Sequence, residues 1–166
     1  MSEADTLLAR YRGKGILVDS NLLLLLFIGF FDPARIKKFK RTGRFSEADF
    51  YLLVDFLASF DKTITTPHIL TEVSNLAGQL DSTLLPGFYS VYLGAIQHME
   101  EVNRPGIEIV KEDIFKAFGL TDAVIALVAS RPCLVLTDDL RLAAFLAHKK
   151  IDVIPFDVIR NIAGLK

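Results

Sequence analysis

The chain holds a single cysteine, Cys133, in 166 residues. A lone cysteine excludes an internal disulfide framework and suits a reducing compartment, so a cytoplasmic protein is expected. Charge of one sign is lacking too. The formal net charge is -1, which gives no overall pull toward nucleic acid, and any polyanion site must be local. Histidine is scarce, and His68, His98 and His148 make no ligand set. No P-loop, dinucleotide fingerprint, nucleophile elbow or zinc pattern occurs.

Hydrophobic runs also stop short. Arg10, Arg12 and Lys14 precede an apolar stretch over residues 16–31 in the manner of a secretory signal. Asp19 and Asn21 interrupt that stretch, however, and no small-x-small cleavage site follows before FDPARIKK, so no signal peptide is expected. Its uninterrupted part, residues 22–31, is well short of the roughly 20 residues a bilayer requires. A buried helix and no membrane segment are expected.

What is present is a hydrophobic content of 51%, enough for a sizeable core in one domain over residues 1–166. GILV is a short β-rich run without alternation, as in a strand covered on both faces of a parallel sheet. The helix after it is apolar all round, with Ser20 or Asn21 as its cap. RFSEADFYLLVDFLASF carries a helical apolar period behind Ser46 as N-cap. KTITT reads as the second strand, and Thr66 with Pro67 opens a helix ended by Gly78.

PGFYSVYLGAIQHMEEV reads as another helix, and RPGIEIV leads into a short strand. KEDIFKAFG and TDAVIALVAS are two helices separated by Gly119, the second capped by Thr121. PCLVLT is a strand, DLRLAAFLAHKK a helix, DVIP a last strand and the tail a short helix. Strands alternating with helices predict an α/β fold, a three-layer α/β/α sandwich with a central parallel sheet.

On that pattern Asp19 follows the first strand. Glu72 lies in the second turn of the helix after the second strand, Asp122 in the first turn of TDAVIALVAS, and Asp138 and Asp139 follow PCLVLT. In open parallel sheets these positions face one crevice. Taken singly, Asp138 reads as a helix cap, Asp122 as a first-turn acid beside the helix dipole and Glu72 as solvated, while for Asp19 capping is open to it but is not the favoured explanation. Taken together, carboxylates about 5 Å apart at an effective dielectric near 20 repel by roughly 3 kcal/mol per pair. A divalent cation removes that cost, and hard oxygen ligands suit Mg²⁺ or Mn²⁺.

VDSN at 18–21, LTEVSNL at 70–76, LTDAVIA at 120–126 and LTDDLRLA at 136–143 together resemble the four acidic motifs of PIN-domain ribonucleases, in that order. The resemblance implies an α/β/α fold and a metal-dependent endoribonuclease that cuts RNA to leave a 5′-phosphate and a 3′-hydroxyl. It assigns Asp19, Glu72, Asp122 and Asp139 as catalytic acids holding one or two Mg²⁺ or Mn²⁺ ions. The family's Thr-x-Asp pattern selects Thr137 and Asp139 and leaves Asp138 as a neighbour able to join the metal ligands. Asn21 and Thr137 become polar supports. Many small PIN proteins are toxins of VapC-type toxin–antitoxin pairs, usually homodimeric and held inactive by a partner, so the resemblance implies a homodimer and leaves toxin status, and with it an antitoxin partner, open. This chain is somewhat longer than the compact members, and the extra length lies in FDPARIKKFKRTGRF.

That segment carries Arg35, Lys37, Lys38, Lys40, Arg41 and Arg44 with Phe39 and Phe45 interleaved. Lys37, Lys38, Lys40 and Arg41 are candidates to track an RNA backbone, with an aromatic available for base stacking. A solvated basic loop and a dock for an acidic partner are the alternatives. His68 lies one turn before Glu72 and shares its face, which fits local packing or support of that acid. Two other functions stay open. A haloacid dehalogenase-type phosphatase also has an Asp after its first strand but wants a second Asp where this chain has Asn21, and a nuclease-like fold can serve only as an RNA- or protein-binding module.

Overall fold

The computed structural model describes residues 3–165. Five strands form one parallel sheet: β1 (Ile16–Val18), β2 (Thr63–Thr65), β3 (Met99–Glu101), β4 (Leu134–Thr137) and β5 (Val153–Pro155), in the order β3-β2-β1-β4-β5. Helices cover it as a three-layer α/β/α sandwich, the predicted fold class. β1 and β4 are buried along their whole length, which explains their unbroken apolar sequences. Ile16 pairs with Leu134 and Val18 with Leu136. The chain leaves β1 toward β2 on one side while β4 and β5 lie on the other, so the crevice beyond the carboxyl ends of β1 and β4 is the sheet's topological switch point.

The helix α1 (Glu3–Tyr11) precedes β1 and was not foreseen, because its only buried residue is Leu7. It is tied down from outside its apolar face: Tyr11 Oη and Arg10 Nη1 donate to Asp152 Oδ2 at 2.7 and 2.9 Å. After β1 comes α2 (Ser20–Phe31), whose residues 22–29 are all buried. It packs against α3 (Arg35–Lys38), α4 (Glu47–Leu57), α5 (Pro67–Ala77) and α6 (Leu85–Ile96), which is why it needs no polar face. Gly29 lets the Phe50 ring of α4 lie directly on the α2 backbone, where a Cβ would collide with it.

Local signals hold for α4 and α5. Ser46 and Asp49 form a capping box at α4, and Thr66 Oγ1 accepts from Ile69 N at 3.1 Å with Pro67 in the first turn of α5. Three local readings are corrected. The α2 cap is Asp19, not Ser20 or Asn21. The third strand is Met99–Glu101, while the segment from Gly106 forms the short helix α7 (Gly106–Ile109), where Arg104 and Glu108 pair one turn apart. Pro105 lacks the N–H a ladder requires and is suited to entering a helix. Finally, after α8 (Phe115–Phe118), the cap position of α9 (Leu120–Val128) is Gly119 at φ 88°, so Thr121 lies inside the helix. The chain closes with α10 (Leu140–His148), β5 and α11 (Phe156–Ile162). No helix among the described residues is long and apolar enough to cross a membrane.

Candidate functional site

Asp19 enters the switch-point crevice because the chain turns from β1 into α2 there. Its Oδ1 accepts the Leu22 N–H at 3.0 Å, capping α2. Its Oδ2 accepts the Asp138 N–H at 3.0 Å and the Thr137 hydroxyl, both from the end of β4. The residue is 5% exposed. Burial, followed by the negative charge of Asp138, pushes its carboxyl up to about 7 against the opposing pull of these hydrogen bonds.

Asp138 follows β4 with 8% of its side chain exposed. Its Oδ1 accepts from Asn21 Nδ2 at 3.3 Å, and its Oδ2 receives Arg44 in an ion pair. Asp139 is oriented differently. Its Oδ1 accepts the N–H groups of Arg141 and Leu142 at 2.8 and 3.1 Å, and its own N–H donates to Thr137 Oγ1 at 3.0 Å. Of the two neighbours, therefore, Asp139 caps α10, and the reading of Asp138 as a cap is corrected.

Asp122 sits in the first turn of α9 and, among the described residues, its carboxylate takes part in no hydrogen bond. Burial raises its carboxyl to about 6, with further contributions from Asp139 and then Glu72. The three acids thus form one electrostatic group. Glu72 comes from α5, which packs against α9, and lines a cleft of about 400 Å³ with His68, Thr71, Asn75, Leu120 and Thr121. His68 Nδ1 is buried without a hydrogen-bond partner among the described residues. His98 and His148 are exposed beside helix ends.

The acids therefore fall into two sets, Asp19 with Asp138 and Asp122 with Asp139 and Glu72, linked by Thr137, which bonds both Asp19 and the Asp139 backbone. As the side chains stand, no group of three His, Cys, Asp or Glu among the described residues could hold a metal ion. The donor chemistry nevertheless suits a hard divalent cation: every candidate ligand is a carboxylate, burial and then the charge of neighbouring acids raise two of them, and one, Asp138, already has a cation seated on it.

In the basic segment Lys37, Lys38, Lys40 and Arg41 are exposed. Arg41 Nε donates to Gln79 Oε1 at 2.8 Å and Lys37 Nζ to the Gly43 carbonyl at 3.3 Å. The aromatics are not available for base stacking: Phe39 and Phe45 are 6% and 4% exposed. They are held inward because the buried Thr42 hydroxyl donates to the Ile36 carbonyl at 2.8 Å and folds the segment onto the core. The residue of this segment that reaches the acids is Arg44, which sequence reasoning left out of the site. Its pairing with Asp138 spans 94 positions and leaves no local signal.

No protein-family model matches the chain, and no curated protein matches it.

Proposed function

We propose that the protein is a metal-dependent endoribonuclease of the PIN-domain type, hydrolysing RNA phosphodiester bonds at the crevice beyond β1 and β4. The observation that carries this reading is Asp122. A half-buried carboxylate held near two other acids, with no side-chain hydrogen bond or ion pair among the described residues, has only the α9 N-terminus to offset its burial and their repulsion, and its carboxyl is raised in spite of that end. Such an acid is retained for a ligand that neutralises it.

Asp19, Glu72, Asp122 and Asp139, with Asp138 beside them, would hold Mg²⁺ or Mn²⁺. Bound there, the ion supplies charge neutralisation at the phosphodiester and acidifies a water for in-line attack. The protein's own contribution is orientation. The Thr137 hydroxyl and the Asp138 N–H fix Asp19 Oδ2, Asn21 fixes Asp138 Oδ1, and the α10 N-terminus fixes Asp139 Oδ1. Exposed Lys37, Lys38, Lys40 and Arg41 supply cations for the RNA backbone.

The buried free Cys133, raised to about 11 first by burial, is inert and compatible with a cytoplasmic setting. Exposed Phe30 and Tyr51, both in ring contact with Phe50, offer apolar surface for a second copy or an antitoxin. The test is incubation of the purified protein with single-stranded RNA in Mn²⁺ and in EDTA. Metal-dependent products ending in 5′-phosphate support the reading, and a 2′,3′-cyclic phosphate rejects this chemistry.

A further inference from the structure

Arg44 stands where the basic segment meets the acids. Its guanidinium donates through Nη2 to Asp138 Oδ2 and lies over the Phe45 ring, 4.9 Å from the centroid. Phe45 is itself buried edge-on against Phe156, so the stem of Arg44 is anchored beside a fixed ring. The partner carboxylate is nearly covered, at 8% exposed, while the arginine side chain is 56% exposed. A guanidinium has five N–H donors in a planar fork that matches phosphate as well as carboxylate. The geometry therefore combines a nearly covered acid, a cation already seated on it and an exposed head with donors to spare.

We propose that Arg44 is the resident counter-cation of this site and a phosphate-binding residue: it occupies Asp138 while no divalent ion is bound and turns to an RNA phosphate when the ion takes that carboxylate. The proposal rests on the nuclease reading above. Two cations cannot share the Asp138 carboxylate without repelling, so Arg44 and the divalent ion compete for it. Removing the arginine must then strengthen ion binding, and ion binding must release the arginine, because coupling between two binding events is reciprocal. Lys37, Lys38, Lys40 and Arg41 lack this arrangement, since none of them contacts the acids.

The test titrates Mn²⁺ alone into the intact wild-type chain, Arg44→Gln and Arg44→Lys, and follows binding by calorimetry. Arg44 is exposed and Arg44→Gln keeps a hydrogen-bond donor for the nearly covered Asp138 carboxylate, so both variants should keep the fold, which circular dichroism and thermal melts check. Arg44→Gln should bind Mn²⁺ up to about fivefold more tightly, the range set by a surface ion pair, and Arg44→Lys should stay near wild type. Equal or weaker binding by Arg44→Gln overturns the proposal. In saturating Mn²⁺ the same variant should raise KM for single-stranded RNA about tenfold, the scale of a lost charged hydrogen bond, with a smaller change in kcat and partial rescue by lysine; an unchanged KM also overturns it. The calorimetric arm needs no cleavage, so the two failures separate. If wild type binds no Mn²⁺, the nuclease reading falls and this inference with it; if wild type binds Mn²⁺ and Arg44→Gln binds it identically, only the role of Arg44 falls.

Discussion

The Thr137 hydroxyl donates to Asp19 Oδ2 across the junction of β4 and β1. One carboxylate is thereby fixed from two strands and one helix, because Oδ1 of the same group caps α2 through Leu22 N. Asp19 is both a helix cap and the most buried acid of the crevice. These roles separate on titration: the cap needs only an oxygen, which Asp, Asn and Ser all supply, whereas the charge has a cost of its own.

Metal-free stability should therefore depend on pH. Asp19 is raised from 3.8 to about 7 in the folded state, so the native protein binds the proton more tightly than the unfolded chain does. The protonated carboxyl contributes stability that is full below pH 4 and is lost as pH rises toward 7. Asp122, raised to about 6, acts in the same direction. In EDTA, the melting temperature of Asp19→Asn relative to wild type should rise by about 5 °C between pH 5 and pH 8. A constant difference between the two melting curves would show that Asp19 carries no charge penalty.

Asp139 allows cap and charge to be separated by substitution. Asp139→Asn keeps an oxygen for the Arg141 and Leu142 N–H groups and should melt within about 2 °C of wild type, whereas Asp139→Ala should lose about 1 kcal/mol, or about 2–4 °C. Both should lose RNA cleavage, since both remove the carboxylate. Cleavage retained by Asp139→Asn would reduce Asp139 to a cap.

The basic segment should bind without stacking. Changing Lys37, Lys38, Lys40 and Arg41 to Ser should weaken RNA affinity and flatten its salt dependence, because fewer counterions are released. Phe39→Ala, by contrast, should cost about 3–5 kcal/mol of stability as a core truncation. If Phe39→Ala instead left the melting curve unchanged and altered base preference, the buried position of that ring would be wrong.

Gly29 supplies a check on the packing that frames the site. Gly29→Ala should destabilise the fold by about 1–3 kcal/mol through overpacking against Phe50. A neutral or stabilising effect in thermal melts would contradict the close approach of α2 and α4.

The architecture was legible because β1 and β4 are continuous apolar runs between strong punctuators, and because Ser46 and Thr66 cap the helices they precede. The misread elements owe their position to partners distant in sequence. Met99–Glu101 is an edge strand with Glu100 paired to Lys62 and Arg131 at 2.7 and 2.9 Å, so its polar sequence gives no strand period. The helix α1 is held by Asp152, and Gly119 displaced Thr121 as the α9 cap through backbone freedom at positive φ. At the site, placement after strand ends and the family resemblance singled out Asp19, Glu72, Asp122 and Asp139 as candidates. Motif spacing carries no information on how Asp138 and Asp139 divide their tasks, because the hydrogen bonds at the β4–α10 turn decide that, and it is equally silent on the tertiary contact that places Arg44.

The most direct measurement compares wild type with Asp122→Asn, purified identically, on single-stranded RNA in Mn²⁺. Asp122 is the informative acid because no hydrogen bond of the described residues depends on it, so its loss should leave the metal-free fold as stable as wild type or more so. The account predicts rapid cleavage by wild type, at least about a hundredfold slower cleavage by the variant, and an undiminished melting temperature for the variant in EDTA. No Mn²⁺-dependent cleavage by wild type, or equal cleavage by the two proteins, would contradict it.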